Sequence, residues 1–290
     1  MTASKFAVFI LTNSRANNVI TYNKLRKHGY SGKIYLLIDD EDSQIEEYKD
    51  KYKDQVVVFP KQKAIDMTDS GDCLKKRNSV VYARNYSFQV AKELGVQYFL
   101  QLDDDYTQFA YTFNNKLQYI TRNTAIKDLD AIFRNVLNFF DKTKAITTVA
   151  FAQGGDFIGG EGSKVAKLGL KGQFARKAMN SFFCDVERPF KFFGRINEDV
   201  NLYTNQGLKG KIFVTIPMLR LEQVATQLNE GGLTDIYLDL GTYVKSFYSV
   251  MYAPACVKIT EMGVVSRRLH HKVVWNKTAP CIISDKFCKH

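Results

Sequence analysis

The sequence predicts an α/β fold in which a mixed, mostly parallel central sheet carries helices on both faces. Two observations support this prediction: strand and helix patterns alternate through the first half of the chain, and polar side chains follow the ends of three predicted strands. The 290 residues fit one large hydrophobic core. We therefore expect a single domain over 1–290.

The first half of the sheet is predicted from short apolar runs bounded by polar residues, and its helices from apolar residues at helical spacing. Strands are predicted at 6–11, 33–38, 56–59 and 96–102. Helices are predicted at 17–28, 41–53 and 74–94, with a polar connection at 61–73. Gly29 and Gly95 mark the ends of the first and last of these helices, because glycine readily adopts the left-handed conformation found there.

The second half contains one strongly amphipathic helix pattern and a glycine-rich loop. The helix is predicted at 125–140 and the next strand at 145–151. The loop at 154–162 lets the backbone approach a ligand closely, but it lacks the GxxxxGK[ST] pattern, which excludes a P-loop. A helix with acidic residues in its first turn is predicted at 196–202. Residues 211–283 mix short strands and loops, and their pattern predicts no topology.

Three consecutive aspartates, Asp103, Asp104 and Asp105, follow the apolar strand at 96–102. Adjacent carboxylates repel one another and burial disfavours their charged form, so a divalent cation is the simplest partner for them. Side chains alternate along a strand, so we expect Asp103 and Asp105 to face one way and Asp104 the other. That arrangement suits one Mg²⁺ or Mn²⁺ ion that also binds a diphosphate. The alternative is a solvated acidic turn.

Polar residues at the ends of two other strands are expected to converge on these aspartates. Asn13 and Arg15 follow the first strand, and Asp39 follows the second. Ligands of open α/β sheets bind outside the carboxyl ends of the strands. The ligand contacts expected on this ground are Asn13, Arg15, Asp39 and Asp104.

Composition and the absence of targeting signals predict a protein that folds throughout and resides in the cytoplasm. Its hydrophobic fraction of 45% and aromatic fraction of 13% are typical of globular proteins. The apolar stretch at 6–11 is too short for a signal peptide, and no apolar run is long enough to span a membrane. The cysteines lack CxxC spacing, which indicates structural thiols in a reducing compartment rather than zinc ligands. They are Cys73, Cys184, Cys256, Cys281 and Cys288.

The net charge of +11 is unevenly spread along the chain, and segment 161–195 is a basic stretch. It carries eight basic residues against three acidic ones, with phenylalanines between them. These rings are Phe174, Phe182, Phe183, Phe190, Phe192 and Phe193. Phosphate contacts and base stacking occur together in proteins that bind nucleic acid, so the segment predicts a polyanionic partner. The alternative is a solvated lysine-rich face with several of the rings in the core.

Four landmarks, in this order along the chain, resemble glycosyltransferases of the GT-A fold. They are the Asp-x-Asp at Asp103 to Asp105, the loop at 154–162, the pair Glu198-Asp199 at a helix start, and a late histidine, His270 or His271. The resemblance covers residues 1 to about 275. It implies a Rossmann-like, mostly parallel sheet with a nucleotide-binding half at 1–110 and an acceptor-binding half at 111–290.

The resemblance also implies roles for residues. The metal, Mn²⁺ or Mg²⁺, would be bound by Asp103 and Asp105 and by one of His270 and His271. It would lie against the diphosphate of a nucleotide sugar, which we predict to be a UDP-sugar. The catalytic base would be Glu198 or Asp199. Further donor contacts are expected from Arg84, Arg268 and Lys272. Such chemistry needs two acidic clusters, because the departing diphosphate requires a cation and the acceptor hydroxyl must lose its proton to a carboxylate.

The basic segment 161–195 lies beside the predicted base, so the predicted acceptor is DNA. The chain is similar to bacteriophage glycosyltransferases that attach a sugar, arabinose in one kind, to hydroxymethylated pyrimidines of double-stranded DNA in the host cytoplasm. The target base is expected to leave the stack and to be supported by Phe182, Phe183, Phe192 or Phe193. Two alternatives stay open: the same fold acting on a polysaccharide, lipid-linked or protein acceptor, and a non-catalytic nucleic-acid-binding protein whose acidic clusters are structural.

Overall fold

A nine-stranded sheet forms the centre of the computed structural model, which describes residues 5–224, 236, 240–241, 243–263 and 267–280, with backbone alone at 122 and 123. Its strands are β1 Phe6–Leu11, β2 Lys33–Asp39, β3 Val56–Phe59, β4 Tyr98–Asp103, β5 Tyr106–Phe113, β6 Tyr119–Ala125, β7 Ile146–Gln153, β8 Ser181–Asp185 and β9 Ile212–Gln223. They lie in the order β3-β2-β1-β4-β8-β7-β9-β5-β6. Only β5 and β8 run against the other seven. The predicted fold class, a mixed and mostly parallel α/β sheet, is confirmed.

Helices cover both faces of this sheet. They are α1 Ile20–Lys27, α2 Ile45–Tyr52, α3 Lys61–Asp66, α4 Val80–Glu93, α5 Leu129–Lys142, α6 Lys164–Leu170, α7 Glu198–Leu208 and α8 Val244–Tyr252. Residues of β1 alternate between two apolar clusters: Val8 and Ile10 pack with side chains of α1, α2 and α5, whereas Phe9 and Leu11 pack with those of α4 and α7. A strand that is buried on both faces has an unbroken apolar sequence, as 6–11 has.

The start of α4 differs from its prediction. The sequence placed a helix at 74–94, but α4 begins at Val80 after the N-cap Ser79, whose hydroxyl accepts a hydrogen bond from the Val81 amide. The preceding residues are held in an extended path because Arg195 donates to the carbonyl groups of Leu74 and Lys76. A tertiary contact therefore overrides local helical spacing here.

The end of α1 agrees with its prediction, and the start of α5 does not. The chain leaves α1 at Gly29, whose φ of 83° is in the left-handed region. The predicted helix at 125–140 begins instead at Leu129, behind the cap Asp128, which accepts a hydrogen bond of 2.9 Å from the Ala131 amide. Residues up to Ala125 belong to β6, an edge strand that was not predicted.

A separate two-stranded antiparallel sheet lies outside the central one. It consists of β10 Val257–Met262 and β11 Arg268–Val273. Part of the span 211–283, for which the sequence predicted no topology, lies outside the described residues, as do Cys281 and Cys288. The cysteines that the structure describes, Cys73, Cys184 and Cys256, are free thiols. None of the helices in the described ranges has the length and apolarity that a membrane crossing requires.

Candidate functional site

A cleft of about 210 Å³ lies at the carboxyl ends of β1, β2 and β4. Six residues that the sequence placed at strand ends line it: Asn13, Arg15, Asp39, Asp103, Asp104 and Asp105. They converge because the three strands are parallel neighbours in the sheet, so their polar ends meet at one edge. The topology thus brings together most of the predicted donor and metal residues.

The three aspartates reach this cleft by a route other than strand alternation. β4 ends at Asp103, and Asp104 and Asp105 form a turn into β5, so the predicted alternation along a strand is wrong. Asp104 accepts hydrogen bonds from Thr12 at 2.7 Å and from Arg15 at 2.8 Å. Asp105 accepts one of 2.9 Å from Gln223. The turn directs each carboxylate to a different partner, and all three still line the cleft.

The aspartates are held in an environment that disfavours their charge. Burial raises the pKa of Asp103 to about 7; Arg84 opposes the rise, and Asp105 adds to it. Burial also raises the pKa of Asp104 and of Asp105, and the neighbouring Asp104 carboxylate adds to the rise in Asp105. A bound divalent cation reverses such shifts, because a positive charge stabilises the carboxylate form.

Arg84 does not contact the donor cleft in the way the sequence predicted. The residue is 1% exposed, and its guanidinium donates to Glu198 at 3.0 Å and to Asp103 at 2.9 Å. Burial lowers its pKa, but Asp103 and Glu198 raise that pKa above the usual range. The expected donor contact is therefore replaced by an internal one: Arg84 joins the two acidic clusters into one buried charge network.

The acidic pair at the start of α7 lies within this network. Glu198 and Asp199 are each 6% exposed, and Glu198 is engaged with Arg84. Burial and, after it, the neighbouring Glu198 carboxylate raise the pKa of Asp199, which reaches about 7. Acidic residues that only stabilise the first turn of a helix lie on the surface and stay solvated, so the burial of this pair indicates a further role. Of the two, Asp199 has the proton affinity of a general base near neutral pH.

The late histidines are located on β11, beside α7. Asn197, which immediately precedes α7, donates a hydrogen bond of 3.1 Å from its side-chain amide to Nδ1 of His271. Burial lowers the pKa of His271 to about 4, with His270 and Lys245 adding to the effect. Across the residues that the structure describes, no three His, Cys, Asp or Glu side chains group as metal ligands. The metal role of Asp103, Asp105, His270 and His271 stays a prediction.

Several residues that sequence reasoning missed also line the cleft. They are Lys61, Arg77, Asn78, Ser79, Tyr82 and Gln223. Lys61 lies 3.3 Å from Asp39 and is detectable by the strand-end rule, because it follows β3. Gln223 ends β9, a strand that the sequence did not place. The segment leading into α4 carried no signal, since its approach to the cleft depends on contacts with Arg195.

Segment 161–195 is not one continuous cationic face. Arg188 is paired with Asp185 at 2.8 Å, Arg195 with Asp72 at 2.9 Å, and Lys177 with Asp156. Arg176 donates to Thr278 at 2.7 Å. The exposed lysines that remain are Lys164, Lys167, Lys171 and Lys191. Half of the basic residues that suggested a polyanion site are thus committed to contacts within the fold.

The predicted support of an extruded base by Phe182, Phe183 or Phe192 is wrong. Each of these rings is at most 1% exposed. Phe182 and Phe192 pack against each other and under the Arg84 guanidinium, and Phe183 lies in the cluster on the other face of the sheet. Phe193 is partly exposed and packs near Tyr252, so it alone of the four has an accessible edge. The spacing of the rings reflected β8 and its core contacts.

A family model described as "TET-Associated Glycosyltransferase" matches residues 6–232, which is most of the chain. The chain belongs to this family. Membership of the TET-associated glycosyltransferases confirms the resemblance to glycosyltransferases and the predicted enzyme class. No curated protein matches the chain.

Solved structures similar to this TET-associated glycosyltransferase share little sequence with it. The structure of GalNAc-T7 with UDP, GalNAc and Mn²⁺ has 12% identity and a TM-score of 0.42, with 76% of this chain and 44% of that chain covered. Glucosyl-3-phosphoglycerate synthase from Mycobacterium tuberculosis has 12% identity and a TM-score of 0.46, with 93% and 87% covered. The mannosyltransferase PcManGT from Pyrobaculum calidifontis has 10% identity and a TM-score of 0.47, with 86% and 73% covered. The chain spans less than half the length of the GalNAc-T7 chain. We assign no residue a role from these similarities.

Proposed function

We propose that this chain transfers a sugar from a nucleotide sugar, a UDP-sugar in the first instance, to the hydroxyl group of a hydroxymethylated pyrimidine in DNA. The observation that carries the proposal is the cleft at the sheet edge, which gathers carboxylates and cations from three strand ends. The family's association with TET supports a modified base as the acceptor. The aspartate turn and the acidic pair of α7, joined by Arg84, supply the two acidic clusters that the reaction needs.

The donor site combines hard oxygen ligands with cations. Asp103 and Asp105 provide carboxylates of the kind that Mn²⁺ and Mg²⁺ bind, and such ions complete their shells with phosphate oxygens and water. When bound, the ion supplies Lewis-acid stabilisation of the departing diphosphate. Arg15, Lys61 and Arg77 line the same cleft, where they neutralise the remaining phosphate charge.

Asp199 is the base of the proposed transfer. Its carboxylate is buried, and its pKa of about 7 lets it accept the proton of the acceptor hydroxyl while remaining partly ionised at neutral pH. Glu198 is held by Arg84 and keeps the negative charge beside Asp199 that raises its proton affinity. The two carboxylates therefore divide the work: one accepts the proton and the other sets the local potential.

Donor hydrolysis tests the donor half of this proposal. The protein is incubated with UDP-sugars and Mn²⁺, and released nucleotide is measured for wild type, Asp105→Ala and the exposed control Asp54→Ala. We expect release by wild type and the control, and a loss of about 100-fold in Asp105→Ala, since one ligand contributes a few kcal/mol to charge stabilisation. If Asp105→Ala releases nucleotide as fast as wild type, the aspartate turn is not the donor site.

The acceptor half needs a separate measurement. DNA containing hydroxymethylcytosine and unmodified DNA are treated with a panel of nucleotide sugars, digested, and examined by mass spectrometry of the nucleosides. We expect a sugar mass on hydroxymethylcytosine alone. Nucleotide release without any glycosylated nucleoside would contradict the DNA acceptor and leave the donor site intact.

A further inference from the structure

The two-stranded sheet formed by β10 and β11, called here the ribbon, has two chemically different faces. Val257 faces Val273 across the strands and is 1% exposed, and His271 lies on this same inner face, against α7 and α8. Side chains of a strand alternate between faces, so Lys258, Arg268 and Lys272 lie on the opposite, outer face, where all three are exposed. The ribbon thus buries Val257 on its inner face and presents three cations on its outer face.

The outer face carries positive charge that the ribbon itself does not neutralise. Lys258 and Lys272 are directly opposite each other in the antiparallel register. Like charges in that position destabilise a strand pair. The acid within these two strands is Glu261, which is paired with Arg267 at 3.4 Å. Burial lowers the pKa of Lys245 on α8, and the nearby Arg268 lowers it further, as expected where cations crowd together.

The ribbon is attached directly to the acceptor side of the proposed active site. His271 on β11 accepts the hydrogen bond from Asn197, and Asn197 is followed by Glu198 and Asp199. The Asn197 side chain also donates to the Lys245 carbonyl at 3.1 Å, which fixes α8 to the same point. The inner face of the ribbon therefore contacts the residue that immediately precedes α7.

We propose that the outer face of the ribbon, with Lys258, Arg268 and Lys272, binds the phosphate backbone of the acceptor DNA. The inference rests on the proposed function and names the surface by which the acceptor is held. Lysine and arginine on a solvated face gain affinity for DNA by releasing its counterions. A two-stranded ribbon also fits the major groove, which is about 12 Å wide. We thereby assign Arg268 and Lys272 to acceptor binding, whereas the sequence predicted donor contacts for them.

Charge complementarity favours the ribbon over segment 161–195. In that segment Arg188, Arg195 and Lys177 are already paired with carboxylates. On the ribbon, two lysines are opposed to each other in the register and gain most from a polyanion. An occupied outer face would relieve the repulsion that the free protein tolerates.

The test compares two matched double variants in the full chain. Lys258→Gln/Lys272→Gln removes the opposed pair of the ribbon, and Lys164→Gln/Lys167→Gln removes two exposed lysines of α6. DNA binding is measured by fluorescence anisotropy across a salt series, with duplex DNA containing hydroxymethylcytosine, and donor hydrolysis is measured in parallel without DNA. We expect the ribbon variant to bind DNA about tenfold more weakly, with a salt slope reduced by about 2, and the α6 variant to bind like wild type.

Donor hydrolysis separates this inference from the proposed function. Normal nucleotide release with weakened DNA binding in the ribbon variant supports the inference. A raised donor KM in the same variant would assign the ribbon to donor binding. Loss of DNA binding in the α6 variant alone would assign the acceptor to segment 161–195. Either result overturns the inference. The inference is also overturned if wild type releases nucleotide but binds heparin and DNA equally well, and if the ribbon variant keeps both affinities. Absence of nucleotide release from wild type is instead a failure of the proposed function.

Discussion

At the scale of single residues, Arg84 determines how the acidic groups of the site coexist. Its guanidinium lies 5.1 Å from the ring centroid of Phe182 and 5.7 Å from that of Phe192, so it is desolvated on its apolar side. Its Nη1 atom is buried with no hydrogen-bond partner among the described residues. A buried cation of this kind is tolerated only because Asp103 and Glu198 face it.

Removal of Arg84 is expected to destabilise the fold strongly. Arg84→Ala leaves Asp103 and Glu198 as uncompensated buried carboxylates, and the free energy of unfolding should fall by about 3–5 kcal/mol. Arg84→Lys keeps the charge but cannot bridge both carboxylates in the same geometry, so a smaller loss is expected. Urea denaturation measures both. The exposed Arg134→Ala on α5 is the control, and it should change stability by less than about 0.5 kcal/mol.

Asp199 leads to a prediction about the pH dependence of transfer. A base with a pKa of about 7 is protonated and inactive below that pH, so kcat/KM should rise with pH and level off above about 7. Asp199→Asn should abolish transfer while donor binding persists. Glu198→Gln removes the neighbouring negative charge and should shift the rising limb to lower pH. An unchanged midpoint in Glu198→Gln would contradict the coupling of the two carboxylates.

At the scale of elements, the connection before α4 shapes the cleft. Arg195 holds this segment by hydrogen bonds to Asp72 at 2.9 and 3.1 Å and to the Leu74 carbonyl at 3.2 Å. The segment then passes Arg77, Asn78 and Ser79 along the cleft wall. A loop that lines the cleft is in this way fixed by a residue that precedes α7.

Loss of this attachment should affect donor binding more than chemistry. Arg195→Lys removes charge-assisted hydrogen bonds of about 1.5–3 kcal/mol in total, so the donor KM should increase about tenfold with kcat nearly unchanged. Limited proteolysis of the segment 69–79 should become faster in the same variant. The exposed neighbour Lys191→Ala serves as control. Equal donor KM values in wild type and Arg195→Lys would show that the segment keeps its path without this residue.

The most predictable strands were those whose sequences are unbroken apolar runs. The bounds of β1 and β3 match their predictions, because apolar strands of a parallel sheet form unbroken runs. The edge strand β6, its neighbour β5 and the long β9 were not predicted, since their patterns mix polar and apolar residues.

At the scale of the whole molecule, the protein without ligands carries buried acids whose protons are held more tightly than in the unfolded chain. The pKa of Asp103 and that of Asp199 are raised from 3.8 to about 7 in the fold. Between those two pH values the folded state keeps protons that the unfolded chain releases. Stability from these groups is complete below about pH 4 and is lost as the pH rises to about 7.

The expected result is a melting temperature that falls as the pH rises from about 4 to 7 in the protein freed of metal with a chelator. Addition of Mn²⁺ with UDP should raise it most at the upper end of this range, because a cation favours the ionised carboxylates. Differential scanning calorimetry at several pH values measures this. Asp199→Asn should flatten the pH dependence, and a slope unchanged by that substitution would contradict the assignment.

The sequence by itself determined the alternation of strands and helices, the aspartates after β4 and the polar strand ends, because local apolar period and turn chemistry depend on neighbours in the chain. The tertiary structure alone decided that Arg84 joins Asp103 to Glu198, that Phe182 is core, and that half of the basic residues in segment 161–195 are committed to contacts within the fold. It also created the cationic outer face of the ribbon from two separate stretches. Burial and charge pairing arise between residues far apart in sequence, and a local pattern carries no record of them.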